Sequence, residues 1–434
     1  MTPAPNAVKG DSNGALAAGR HAPVSSLGFS TRAIHVGSEP SEDTGAVIPA
    51  ISLSTTYAQK GVGGFKDYEY SRSGNPNRDS FERALASLEG GRYGLAFSSG
   101  SAVTSTILSA LPPRSHIVSV NDVYGGSYRY FTKVASTAQG IETTFVEMGV
   151  DAEVVEANLR AAITKDTKLV WVETPTNPTL RLIDIPLVAR IAKSINPNVT
   201  IVVDSTFLSP WFQTPLSLGA DIVAHSITKY INGHSDVVMG ALVTNSSAWH
   251  EKLKFLQNSI GAVPSAFDSW LALRGLKTLS LRMRAHGQSA LTIANHLARH
   301  PAIETVIYPG LPSHPSFALA QRQVAERARP REDPSSSGFA YGGMVTFRLK
   351  SDPKDDAPAN KILEQLRIFT LAESLGGVES LIELPSKMTH AAVSQEDRDK
   401  LGIGHNLIRV SIGLEDVEDL IADLDQAFQA AGLA

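Results

Sequence analysis

Cysteine is absent from all 434 residues, so disulfides, zinc–thiolate centres and cysteine nucleophiles are excluded by arithmetic. An excess of positive charge is missing too. Lys and Arg total 39 against 43 for Asp and Glu, a net charge of −4, whereas a nucleic-acid binder needs a basic stripe to displace counterions. No apolar run approaches the roughly 18 residues of a membrane span. Residues 1–27 lack the compact apolar segment of a secretory signal; rich in Ala, Gly, Pro and Ser with Asp11 as their only acid, they leave a transit peptide open, although no Arg-rich amphipathic helix is visible. A disordered tail over 1–28, a cytoplasmic location and no nucleic-acid or membrane partner are therefore expected. Partners should be small molecules or further copies of the chain. The glycosylation patterns at Asn198-Val-Thr200 and Asn245-Ser-Ser247 carry no meaning without an export signal.

What is present is regular. The length favours two domains. From Asn77, Phe81, Ala84, Leu85 and Leu88 repeat at helical spacing until Gly90-Gly91, which predicts an amphipathic helix with a glycine stop. Beyond it, short apolar runs at 117–120, 169–172, 201–203 and 222–224 alternate with helical stretches such as Leu187 to Ile195. Runs without polar alternation suit strands buried on both faces, so an α/β unit with a mostly parallel sheet is expected over 76–275. After about residue 275 the pattern changes to longer helices. Strands are expected at Met344 to Leu349, with alternating burial, and at Ile408 to Ile412. A closing helix carries the stripe Val417, Leu420, Ile421, Leu424 and Phe428. This predicts a smaller α+β domain over 276–434. Residues 325–341, with Arg329-Pro-Arg-Glu-Asp-Pro-Ser-Ser-Ser-Gly338, read as a flexible surface loop.

Four features share one place in this pattern, the carboxyl ends of the predicted strands, where such sheets bind ligands. The strand at 222–224 runs through His225 and Ser226 to Thr228 and Lys229. An amine placed there is costly unless it has a covalent or ionic partner. Val202-Val203-Asp204 ends another strand in a carboxylate, the group that keeps a pyridinium nitrogen protonated. Ser98-Ser99-Gly100-Ser101 precedes a helical pattern whose first N–H groups can cradle a phosphate. Tyr124, in Asp122-Val-Tyr-Gly-Gly126, is flanked by glycines that admit a flat ligand. Each alone reads as a turn lysine, a cap, a helix start or a core ring. Together they point to a pyridine cofactor on Lys229. His225, His234 and Asp236 lack a further ligand at sensible spacing, so no metal is expected.

The chain resembles the pyridoxal 5′-phosphate (PLP) enzymes of cysteine and methionine metabolism from about Phe29 to Ala431. The motifs that carry the resemblance are Tyr68-Glu-Tyr-Ser-Arg-Ser-Gly-Asn-Pro76, Val123-Tyr-Gly-Gly126, Glu173-Thr-Pro-Thr-Asn-Pro-Thr179, His225-Ser-Ile-Thr-Lys-Tyr-Ile-Asn-Gly-His-Ser-Asp236 and Leu371-Ala-Glu-Ser-Leu-Gly-Gly377. It implies the fold type I architecture of PLP enzymes, with Lys229 as Schiff-base lysine and proton carrier, Asp204 at the ring nitrogen and Tyr124 stacked on the ring. Gly100, Ser101, Ser226 and Thr228 would surround the phosphate. An arm at 29–75 would bring Tyr70 and Arg72 to the neighbouring subunit's site, making a homo-oligomer, usually a tetramer built as a dimer of dimers. Arg409 would clamp the substrate α-carboxylate through two parallel hydrogen bonds, with Asn177 and Ser374 beside it. Arg129 and Glu373 would meet the distal part of a sulfur amino acid, and Arg72 would contact substrate as well as the neighbouring subunit's phosphate. Ser205, His225 and Ser101 depart from the residues usual at their positions. The expected reaction is γ-elimination on L-cystathionine to L-cysteine, 2-oxobutyrate and ammonia, in trans-sulfuration, with Tyr124 protonating the departing sulfur. γ-Replacement on activated homoserine, β-elimination on cystathionine and a catalytically silent PLP-binding homologue stay open, since all share the cofactor residues.

Overall fold

The computed structural model describes residues 26–149, 151–330, 337–391 and 393–433. Most of the expected tail at 1–28 lies outside these residues. The expected amphipathic helix spans Pro76–Glu89 (α2), preceded by a short helix at Phe29–His35 (α1). Asn75 caps α2 by accepting from the N–H groups of Asn77 and Arg78, and Gly90 closes it, as the sequence pattern requires.

Seven strands form the main sheet: Tyr93–Phe97 (β1), His116–Val120 (β2), Glu142–Val146 (β3), Thr167–Glu173 (β4), Thr200–Asp204 (β5), Ile222–Ser226 (β6) and Gly240–Thr244 (β7), in the order β1-β7-β6-β5-β4-β2-β3. The expected α/β class is borne out. The sheet is parallel except at β7, which pairs antiparallel with both β1 and β6. Leu169, Val170, Trp171 and Val172 on β4 have no exposed surface, and full burial of such side chains contributes about 1.5–3 kcal/mol each. That burial on both faces explains why the strands read as continuous apolar runs. From β2 the chain moves outward to β3, whereas β4 lies on the other flank of β2 and leads on to β5 and β6. The carboxyl ends of β2 and β4 thus flank the crevice where an open α/β sheet takes its ligand.

The second sheet contains Ile303–Ile307 (β8), Met344–Leu349 (β9), Thr370–Leu371 (β10), Leu381–Glu383 (β11) and Leu407–Ser411 (β12), in the order β10-β11-β12-β9-β8. The helix Val417–Ala430 packs its expected stripe beneath it, with Leu420, Leu424 and Phe428 buried. Two expectations are corrected. β9 does not alternate: five of its six residues are buried, because the long helix Leu279–Leu297 and the helix Val417–Ala430 contribute to one core with it. Residues 325–341 are not a surface loop throughout. Ala325 donates its N–H to Phe212 O, Arg327 binds the carbonyls of Pro210 and Trp211, and Phe339 and Tyr341 are buried. Only 331–336 lie outside the described residues.

Candidate active site

The carboxyl ends of β2, β4, β5 and β6 open into a cavity of about 260 Å³. Lys229 follows β6, and its Nζ donates to Ser374 Oγ at 2.6 Å. Ser374 holds a backbone φ of +94°, a strained value for a residue with a side chain. Gly376, at φ +77°, lets the same loop press on the lysine segment: a Cβ there would stand 2.7 Å from Tyr230 N. Burial first, and then the charge of Arg409, push the Lys229 amine down to about 8. Its neutral, nucleophilic form is then roughly a tenth of the population at pH 7, against less than about a thousandth for an ordinary lysine. We predict that capture of added PLP by the apoprotein accelerates with pH through about 8, followed as visible absorbance. A midpoint above 10 would show that burial does not act on this amine.

Asp204 ends β5. Its Oδ1 accepts from both the N–H and the hydroxyl of Thr206, at 3.0 and 2.6 Å. Burial raises this carboxyl's pKa, and the two Thr206 bonds and His225 pull it back toward the ionised form. Thr206 Oγ1 also accepts from Ser226 N at 2.9 Å, fixing the end of β5 to the end of β6. Glu173, the last residue of β4, lies in register with Asp204 and accepts the Tyr124 N–H at 2.8 Å. Burial first, and then the neighbouring Asp204, push Glu173 well up. Tyr124 keeps 45% of its surface exposed at the cavity. Burial pushes its phenol up, with Glu373 and Glu173 adding to the shift and Arg129 and Arg409 opposing it.

The helix Gly100–Ser109 (α3) starts at the same cavity, capped by Ser99, whose side chain accepts from Ala102 N. Gly100 is packed so closely that a Cβ would lie 3.2 Å from Ser226 Cβ. Thr228 reaches the cavity too, but its hydroxyl donates to Met239 O and accepts from Met239 N.

Across the cavity Arg409, 2% exposed on β12, donates through Nη1 to Asn177 Oδ1 at 2.9 Å and through Nη2 to Ser374 O at 2.7 Å. Glu383 faces it in the antiparallel register, with Oε1 at 3.0 Å from Nη1. Arg409 Nε has no partner. Nε–H and the second N–H of Nη2 form the adjacent pair that matches the two oxygens of a carboxylate. Burial pushes Glu383 up, and Arg409 and Thr389 draw it back.

The cavity therefore brings together Lys229, Tyr124, Gly100, Ser101, Asp204, Ser226, Thr228, Asn177, Glu373, Ser374 and Arg409. It does not include Tyr70, Arg72 or Arg129. Arg72 Nε donates to Asn258 at 3.0 Å, and Tyr70 is 45% exposed. Thr206, Glu173 and Glu383 were not singled out by their residue types; an acid inside the apolar run Leu381-Ile-Glu-Leu384 was the available signal for Glu383. No group of His, Asp and Glu among the described residues could hold a metal ion. The arrangement fits PLP: a nucleophilic amine, a carboxylate at a strand end for the ring nitrogen, a half-exposed tyrosine ring, and a helix start beside Ser226 for the phosphate.

Residues 30–429 match the family of Cys/Met metabolism PLP-dependent enzymes. Cystathionine gamma-lyase of Dictyostelium discoideum is 52% identical over 398 residues, 92% of this chain and 96% of that protein. Cystathionine beta-lyase of Coxiella burnetii is 47% identical over 398 residues, covering 92% and 97%. The crystal structure of cystathionine gamma-lyase from yeast is similar with a TM-score of 0.85 at 49% identity, covering 94% of this chain and 99% of that one. With sequence, fold and cavity in agreement, this chain belongs to the Cys/Met metabolism PLP-dependent enzymes.

Proposed function

We propose that the chain is a carbon–sulfur lyase that converts L-cystathionine and one water, by γ-elimination, into L-cysteine, 2-oxobutyrate and ammonia. The observation that carries this reading is the opposition of Lys229 Nζ and the Arg409 guanidinium across one cavity, joined through Ser374, whose Oγ meets the lysine and whose carbonyl meets the arginine. An amino acid whose carboxylate is held at Arg409 presents its α-carbon to Lys229. PLP, when bound, supplies the electron sink that makes protons at the substrate α- and β-carbons acidic.

The protein's own residues account for the rest. Lys229 would tether the cofactor, and its amine, when free, would take the α-proton. Asp204 would hold the ring nitrogen, and the N–H groups that open α3, with Ser226, the phosphate. Asn177 and Ser374 fix the Arg409 fork, and Glu173 fixes the backbone of Tyr124. The Tyr124 phenol, kept protonated by burial, can deliver its proton to the sulfur as the Cγ–S bond breaks. Glu373 lines the mouth of the cavity and suits the distal ammonium group of a long substrate, with Arg129 nearby on the exposed side.

A homo-oligomer, as a tetramer of paired dimers, is supported by Tyr70 and Arg72 lying outside their own cavity, on a segment that exposes Val47, Leu53 and Phe65. The purified holoenzyme incubated with L-cystathionine should release 2-oxobutyrate, detected as its hydrazone. Pyruvate in its place would mean β-elimination and would overturn the proposal. The relative named a beta-lyase, at 47% identity, makes this comparison the informative one.

A further inference from the structure

Arg78 is 2% exposed although it stands in the first turn of α2, where a cation opposes the helix dipole. Its side chain is turned back along the chain. Nη1 donates to Ser71 O at 2.9 Å and Nη2 to Arg72 O at 3.1 Å, while Nε lies 3.8 Å from Glu82 Oε1. Glu82 is buried too, and the same oxygen accepts the N–H of Ala96 on β1 at 2.8 Å. One guanidinium therefore joins the turn at 70–74 to the main sheet of its own subunit. The turn itself is closed by Tyr70 O, which accepts from the N–H groups of Ser73 and Gly74, both at 3.0 Å. Its outward face carries the half-exposed Tyr70 ring with the Arg72 guanidinium 5.6 Å from the ring centre.

Burying a guanidinium is costly unless it is paired and its donors are used. Arg78 meets that condition with an acid on one side and two main-chain carbonyls on the other. The two carbonyls belong to the peptide groups on either side of the Arg72 Cα. Peptide groups are planar, so holding both fixes the direction in which the Arg72 side chain leaves the backbone. Arg78 does not line the cavity of its own subunit. We propose that Arg78 is a positioning residue that acts across the subunit boundary: by fixing the Tyr70–Arg72 turn of its own chain, it sets the affinity for PLP at the neighbouring subunit's site. It touches neither cofactor nor substrate.

The inference rests on the reading that Tyr70 and Arg72 serve the neighbouring subunit's cofactor, and its test separates the two. Apoprotein is titrated with PLP, and the fraction of Lys229 that carries it is fixed with borohydride and counted by mass spectrometry. R78K keeps a cation beside Glu82 but cannot hold two carbonyls as a planar fork does, so half-saturation should need roughly tenfold more PLP. Mixed oligomers of R78K and K229A, co-expressed with different tags and purified through both, are the decisive arm. There only the R78K subunit has a Lys229 to be counted, and a K229A neighbour lends it an unaltered turn. A component that saturates at the PLP concentration of the unaltered protein should reappear. If Arg78 serves only the fold of its own subunit, every counted site stays weak. R72A is taken through the same steps. Recovery with R72A but not with R78K, or unchanged half-saturation in R78K alone, overturns the role of Arg78. No shift or no recovery with R72A overturns instead the reading that the turn serves the neighbour. If R78K does not fold, the double variant R78Q with E82Q, which removes both buried charges, supplies the same arms.

Discussion

Replacing Lys229 with alanine is expected to lower turnover of L-cystathionine by more than about 10⁴-fold and to remove the visible absorbance of the bound cofactor. The size follows from two functions resting on one atom. In the proposed mechanism Nζ is both the covalent tether and the group that moves the α-proton, and no second lysine lines the cavity. Its amine is pushed down to about 8 by burial and by Arg409, so it can act near neutral pH as a nucleophile and then as a base. Removing it leaves Ser374 Oγ without its donor but breaks no buried ion pair, so the variant should fold. Circular dichroism like that of the unaltered protein, together with absent turnover, is the expected result. Activity within tenfold of the unaltered protein would remove Lys229 from the mechanism.

Arg409 is the second residue with a large expected effect, and its two substitutions separate binding from folding. Arg409→Lys keeps a positive charge beside Glu383, but a single ammonium group cannot reproduce a planar fork already committed to Asn177, Ser374 and Glu383. Charge-assisted hydrogen bonds contribute about 1.5–3 kcal/mol each, so losing the carboxylate fork should raise KM by about 10²-fold or more, with a smaller fall in kcat. Arg409→Ala should add a loss of stability of about 3–5 kcal/mol, read in urea unfolding, because Glu383 has no exposed surface and loses the guanidinium 3.0 Å from its Oε1. An unchanged KM in the lysine variant would exclude Arg409 from substrate binding.

The cavity end of the main sheet was legible in the sequence because its signals are local. Buried strands show as unbroken apolar runs, and a lysine or aspartate at the end of such a run stands out against them, as Lys229 and Asp204 do. Groups that work across strands left no such mark. Thr206 matters because its hydroxyl reaches Ser226 N, twenty residues away, and a threonine two positions after an aspartate reads as an ordinary turn. Glu173 and Glu383 acquire meaning only from register, against Asp204 and Arg409. In the sequence His225 stands only beside His234 and Asp236, a set without a further ligand at sensible spacing. Its partner, Glu89, lies 136 positions earlier in the chain, at a helix end where an acid is unremarkable. The ends of the 325–341 segment misled for a different reason. Their composition is that of a loop, yet Arg327 satisfies the carbonyls of Pro210 and Trp211 and lays its guanidinium 4.8 Å from the Phe29 ring centre. Polar composition records the need for hydrogen bonds and does not say whether water or protein supplies them.

The central claim is that Lys229 carries the cofactor, and chemical trapping tests it most directly. Reduction of the holoenzyme with borohydride fixes the Schiff base as a stable amine, and digestion followed by mass spectrometry locates the added phosphopyridoxyl group. The predicted result is one modified peptide, containing Ser226-Ile-Thr-Lys229-Tyr230, with the mass increment on Lys229. A modification on any other lysine, or none at all in protein that turns over substrate, would contradict it.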